Sequence, residues 1–225
     1  MKSNIGLAFG AALLLGAVAS SASAGTIGSL SDNFDTEHGS SPTLNYYGFS
    51  NWTVSTASNS AHPGAGSVDL IGNGSFDSYS GNGLYVDMCG STGACGALTT
   101  KDQFAAGTYR LTLSLGGIIY PPSNGYGALN DNVLVSFSGT GAGSADVPTS
   151  YLAISTYSEI ITLSQPAYLT LQDAVLSGNE NIGATLLSVN VSPVPLPAAL
   201  PLFGVAVAGF AAWGRKRAKK ASAVA

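Results

Sequence analysis

Thr108 to Leu115 reads TYRLTLSL, and its alternation decides the fold. Tyr109, Leu111, Leu113 and Leu115 fall on one side of an extended chain, because successive side chains of a strand point to opposite faces. Val133, Val135 and Phe137 repeat the pattern in NDNVLVSF, and Leu187, Val189 and Val191 repeat it in ATLLSVNVS. Shorter strand candidates are Asn45 to Thr53, Ser67 to Ile71, Leu84 to Met88, Ala97 to Lys101, Tyr151 to Leu163 and Tyr168 to Gln172. Gly, Asn, Ser and Pro separate these runs as turn residues do.

Composition agrees. Charged residues make up only 9% of the 225, and glycine numbers 29. Helical domains favour Ala, Leu, Glu and Lys, so this mixture speaks for strands and glycine-rich turns. The expected fold is all-β: a two-sheet antiparallel sandwich over residues 25–193. Its eight or nine strands suit a jelly roll better than a seven-stranded immunoglobulin sandwich. Helix is expected only at the two ends, as an N-terminal signal helix and a C-terminal transmembrane helix.

The charge is unevenly spread. Lys2 stands at the front, and Arg215, Lys216, Arg217, Lys219 and Lys220 stand at the back. Between them Lys101 and Arg110 are the only cations beside all twelve acids, a net of −10 in the body. So acidic a surface repels nucleic-acid phosphate, and a nucleic-acid partner is excluded.

Residues 1–24 read MKSNIGLAFGAALLLGAVASSASA. A basic start, an apolar run from Ile5 to Val18 and the small residues Ala22 and Ala24 form a signal peptide, cleaved after Ala24 by signal peptidase once the Sec translocon has engaged it. An uncleaved N-terminal anchor is the alternative. Cys89 and Cys95 sit in CGSTGAC, and an oxidising compartment favours a disulfide between them over two free thiols.

Residues 194–225 form a second address. Ala198 to Trp213 is an apolar run of 16 residues, about 24 Å as a helix against a hydrocarbon core of about 30 Å. The basic residues 215–220 then act as a stop on the cytoplasmic side, which leaves the acidic body outside. The order Val194-Pro195-Leu196-Pro197-Ala198, short apolar helix, basic cluster resembles the sorting signal of PEP-CTERM proteins, in the variant whose signature is VPLPA. Leu196 stands where most relatives carry Glu. The resemblance implies recognition by a membrane-embedded exosortase and association with exopolysaccharide and the biofilm matrix. A plain membrane anchor without processing is the alternative.

The body, from DNFDTEHG near residue 32 to NENIGATLLSVNVSPVP, resembles ectodomains common among such proteins, which are similar to galactose-binding-like jelly rolls and carbohydrate-binding modules. That likeness implies a fold and no catalytic set.

Three candidate sites follow from residue chemistry. For catalysis, His38 and His62 lie in polar stretches, no Ser occupies a G-x-S-x-G setting, and only Asp69, Asp77 and Asp87 offer a glycosidase carboxylate pair. Any β-sandwich supplies such loop aspartates, so a hydrolase is the third-ranked reading. For calcium, Asp32, Asn33, Asp35 and Glu37 crowd the head of the domain, and hard oxygen ligands suit Ca²⁺. By the jelly-roll resemblance, Asn179 to Asn181 would approach them. For sugar, Trp52, Tyr79 and Tyr85, with Tyr46, Tyr47, Asn73 and Asn82, offer stacking faces and amides. Strand-spaced aromatics more often fill a core, and GNGSFDSYSGNG (72–83) reads as a mobile polar loop. The function expected is non-catalytic, structural or adhesive in the envelope or matrix, with carbohydrate binding, calcium-dependent or not, as the alternative.

Overall fold

The alternation at residues 108–115 belongs to a ten-residue strand, Gly107–Gly116, that lies in the middle of a sheet. The computed structural model describes residues 25–57, 66–92, 94–117, 132–138, 145–148, 153–174 and 183–195. The expected signal peptide, His62, Asn179 to Asn181 and everything from Leu196 onward, including the apolar run and the basic cluster expected to act as a stop, lie outside the described residues. Among those described, no helix is long and apolar enough to cross a membrane.

Fourteen strands follow one another in the described chain. They are β1 (Thr26–Ile27), β2 (Leu30–Asp32), β3 (Thr43–Tyr46), β4 (Trp52–Thr56), β5 (Val68–Gly72), β6 (Leu84–Asp87) and β7 (Gly96–Thr100). Then come β8 (Gln103–Phe104), β9 (Gly107–Gly116), β10 (Asn132–Phe137), β11 (Ala145–Pro148), β12 (Ser155–Leu163), β13 (Leu169–Asp173) and β14 (Thr185–Pro193). A single 3-10 turn, Glu37–Ser40, is the described helical element. One sheet runs β11-β10-β13-β7-β4; the other runs β12-β9-β14-β6-β5-β3, with β2 also against β14. Within both sheets the pairings are antiparallel; β1 and β8 form a separate parallel pair.

One apolar core joins the two sheets. Leu111, Leu113, Leu70, Leu84, Val86, Leu186 and Val189 from the larger sheet meet Trp52, Leu98, Val133, Val135, Leu169 and Leu171 from the smaller. Each is essentially fully buried, and removing such a side chain from water contributes about 1.5–3 kcal/mol.

Two boundaries differ from the sequence reading. The expected strand Asn45 to Thr53 is two strands in different sheets, β3 and β4, linked by Tyr47 to Asn51. The buried Glu37 carboxylate takes the Ser50 amide at 2.8 Å and so ties that crossover to the domain's head. The expected strand Tyr151 to Leu163 begins only at Ser155. β1, β2, β8 and β11 escaped notice, being too short to show a period.

The stretch 72–83 is not a loose loop. Gly72 and Ser75 exchange both backbone hydrogen bonds, at 2.9 and 3.0 Å, across Asn73 (φ 49) and Gly74 (φ 85), the mirror-image turn that requires positive φ at both central residues. Asp77 accepts the Gly74 amide, Asn73 donates to the Ser40 carbonyl, and Tyr79 is buried with its hydroxyl on the Gly117 carbonyl. Tyr79 pins it: it packs edge-on against Tyr85 of β6, and with Ile71 and Leu187 the two make a second apolar cluster on the outer face of the larger sheet, while Phe76 stays exposed.

Candidate functional site

The three sequence-derived sites come apart when their residues are placed. Trp52 and Tyr85 have no exposure, and Tyr79 retains 7%. They form no sugar platform. Trp52 lies in the core between the sheets and gives its indole N–H to Asp32 at 2.8 Å. The Tyr85 hydroxyl donates to Asp77 at 3.2 Å, and burial pushes its pKa up to about 12, so it stays protonated.

Asp32, Asp35 and Glu37 likewise serve separate tasks. Asp32 accepts from the Phe34 amide, the Asn51 side chain and Trp52. Asp35 accepts from Asn33 and from the Leu84 amide at 3.0 Å. Glu37 takes Ser50 and the Tyr46 hydroxyl. Backbone and side-chain N–H groups crowd these oxygens, where a cation would need them turned to a common centre. Among the described residues no group of three or more His, Cys, Asp or Glu is disposed to hold a metal.

Two of the three glycosidase candidates do meet. Asp69 and Asp87 are direct cross-strand partners on β5 and β6, whereas Asp77 belongs to the 72–83 stretch. Both are sealed: Asp69 accepts the Asn45 and Ser91 amides and the Ser91 hydroxyl, and Asp87 accepts the Cys89 and Gly183 amides, each at 3.0 Å. Asp173, wholly buried, takes the Ala184 amide at 2.7 Å from the other sheet. Burial first, then repulsion from Asp69 and Asp173, raises the Asp87 pKa well above the ordinary carboxylate value. This cluster staples the Cys89–Cys95 loop, which is disulfide-bonded, to both sheets. Its carboxylates are buried and hold loops through their hydrogen bonds.

Among the described residues the smaller sheet's outer face is partly open, with Thr53, Thr99, Thr170 and Ser136 in one row, and the outer face of the larger sheet is open beyond that sealed end. Strand register lays the larger sheet's face out in rows. Ser158, Thr112, Asn190 and Ser31 stand side by side on β12, β9, β14 and β2. Thr156, Ser114 and Ser188 form the row on one side of it; Ile160, Arg110 and Ser192 form the row on the other, followed by Thr162 and Thr108. All are exposed or half-buried. Neighbouring strands lie about 4.8 Å apart, so the face is a lattice of mainly hydroxyl and amide groups about 15 Å wide. Thr108 and Thr162 hydroxyls are 3.2 Å apart, Thr112 and Ser158 hydroxyls 3.4 Å, and Arg110 Nη1 donates to Ser158 Oγ at 3.4 Å. No residue of these rows is acidic. Such a surface can hydrogen-bond a polyhydroxylated ligand, each hydroxyl donating or accepting by rotation. Its signal lay in the polar half of TYRLTLSL, which the alternation places on the face opposite Tyr109, Leu111, Leu113 and Leu115.

An all-β, disulfide-closed sandwich with an open hydroxyl face is thus the class of molecule at hand. No family model and no curated protein matches the chain. Among solved structures it is similar to an exo-β-1,3-galactanase from Phanerochaete chrysosporium, at 19% identity and a TM-score of 0.35, covering 63% of this chain and 29% of that one. It is also similar to a family 35 carbohydrate-binding module from Clostridium thermocellum, at 11% identity and 0.36, covering 64% and 100%. The C-terminal CBM6 of LamC, a marine laminarinase from Zobellia galactanivorans, is similar at 10% and 0.34, covering 63% and 99%. The chain spans less than a third of the galactanase's length. None of these structures lends a site residue to this chain.

Proposed function

We propose that this is an exported, membrane-sorted protein whose jelly-roll-type body grips polysaccharide of the envelope or matrix without acting on it. The observation that carries the reading is the open lattice of Ser, Thr and Asn side chains across β12, β9, β14 and β2. A glycan offers hydroxyls at every ring, and many modest hydrogen bonds, of about 0.5–1.5 kcal/mol each, add up along an extended polymer. Export is supported by the Cys89–Cys95 disulfide, which suits an oxidising compartment. The leader would engage the Sec translocon and signal peptidase, and the VPLPA tail an exosortase at the inner membrane. Against hydrolysis stand the Asp69 and Asp87 carboxylates, both spent on backbone amides.

A glycan array probed with the full chain in mild detergent, with and without Ca²⁺, tests this. Retention of polysaccharide with no release of reducing ends is the expected result. Replacing Thr112 and Asn190 together by Ala should weaken retention at least fivefold at unchanged melting temperature. Failure of every glycan to bind would remove the reading, and release of reducing ends would replace it with catalysis.

A further inference from the structure

We infer that the polysaccharide this face takes is anionic, and that Arg110 reads its carboxylate or sulfate groups; the inference rests on the polysaccharide reading above and names the ligand class. The observation is the distribution of charge. Twelve acids and two bases occupy the body. One base, Lys101, is exposed but already has a backbone partner, its ammonium on the Phe49 carbonyl at 2.6 Å. The other, Arg110, is exposed in the middle of the face, flanked on its row by Ile160 and Ser192.

A guanidinium has five N–H donors in a planar fork. Here Nη1 leans on the Ser158 hydroxyl at 3.4 Å, a long neutral contact. In so acidic a body a structural arginine would be expected against a carboxylate, yet the rows around Arg110 hold only hydroxyls, an amide and Ile160. The acid next to Ile160 on β12, Glu159, stands opposite Leu111 on the alternate side of the strand and accepts the Tyr157 hydroxyl. Asp69 and Asp87 share the outer side of the sheet but lie on β5 and β6, sealed at its far end.

Magnitudes decide whether the body's negative charge defeats an anion here. Fields of exposed charges fade over about 8 Å at physiological salt. An anion seated on Arg110 is therefore governed mainly by charges within that distance: its own row and the rows beside it carry no acid, and the nearby Glu159 is exposed on the other side of β12. The remaining negative surface slows approach and excludes anions elsewhere, so binding concentrates on this face. A planar carboxylate can take two parallel N–H bonds from the fork, and the ring hydroxyls of the same residue can reach Thr112, Ser158 or Ser192.

The experiment compares the full chain in detergent on polygalacturonate, a polyuronate, and dextran, a neutral polymer, by affinity electrophoresis. Wild type should bind polygalacturonate at least fivefold more tightly than dextran. Arg110→Gln should lose about tenfold on polygalacturonate and leave dextran binding unchanged. Lys101→Gln makes the same change in net charge away from the face and should leave both unchanged. Ser192→Asp, which sets an acid beside Arg110, should match Arg110→Gln, and Arg110→Lys should recover part of the loss. Equal binding of both polymers with Arg110→Gln silent would overturn the anionic inference and leave the polysaccharide reading standing. Equal losses in Lys101→Gln and Arg110→Gln would overturn it as a mere effect of net charge, as would tighter binding to anionic phospholipid vesicles than to polygalacturonate. No binding to polygalacturonate would overturn the anionic inference, whereas the polysaccharide reading falls only if every glycan of the array also fails to bind.

Discussion

Asp87 is a buried carboxyl set beside two other acids. Its side chain is closed from water, faces Asp69 across the strand pair and lies near Asp173, so its pKa is raised. The sign follows from linkage. A carboxyl whose pKa is higher folded than unfolded favours the folded state while protonated, and that contribution is lost as pH rises from the unfolded value of 3.8 through the raised one. Stability should therefore fall between mildly acidic and neutral pH. Asp87→Asn keeps a side-chain oxygen for the Cys89 and Gly183 amides and carries no charge, so it should be more stable than wild type near pH 7 and lack that slope. Melting curves from pH 4 to 8 would show the difference, and an unchanged slope would mean another group supplies it. Asp32 is the contrasting case. Its carboxylate is paired with three N–H donors, and Asp32→Ala would leave the buried Trp52 indole unpaired. That change should cost about 2–4 kcal/mol, read as a lower melting temperature.

At the scale of elements, the stretch 72–83 shows where sequence reasoning reaches its limit. Its glycines announced turns, but not that Tyr79 and Tyr85 would clamp it to the outer face. Gly83 makes the point testable. Its φ is +74, and a Cβ there would strike the Asp35 carboxylate that accepts the Leu84 amide. Gly83→Ala should cost at least about 2 kcal/mol, against about 1 for Gly74→Ala, whose Cβ would meet nothing. The long strands β9, β10 and β14 were legible because each shows several periods of alternation. Gly48, Ser50 and Asn51 did mark the crossover between β3 and β4, but the aromatics Tyr47 and Phe49 among them read as strand, and the tie from Glu37 is a contact across thirteen positions. The candidate sites fared worse for one reason: type and spacing give chemistry, while burial and partners decide its use. Asp69 opposite Asp87 could have been suspected from the two strands, but not the amides that fill both carboxylates.

For the whole molecule the decisive question is which compartment closes the Cys89–Cys95 loop. Both sulfurs are buried beside Ala57, and the loop between them carries Ser91, which holds Asp69 through its amide and hydroxyl. A ring this small contributes about 2 kcal/mol by loop entropy, and at this chain length each kcal/mol moves the melting temperature by about 2–4 °C. Delivery and stability are then coupled. Chain made with residues 2–24 deleted should remain in the cytosol with both thiols reduced, alkylate once unfolded, and melt about 4–8 °C below the exported form. The exported form should resist alkylation until reduced, and Cys89→Ala with Cys95→Ala should lower its melting temperature to that of the cytosolic chain. If the leaderless chain is instead oxidised and equally stable, the bond forms without export, and the disulfide no longer speaks for a place outside the inner membrane.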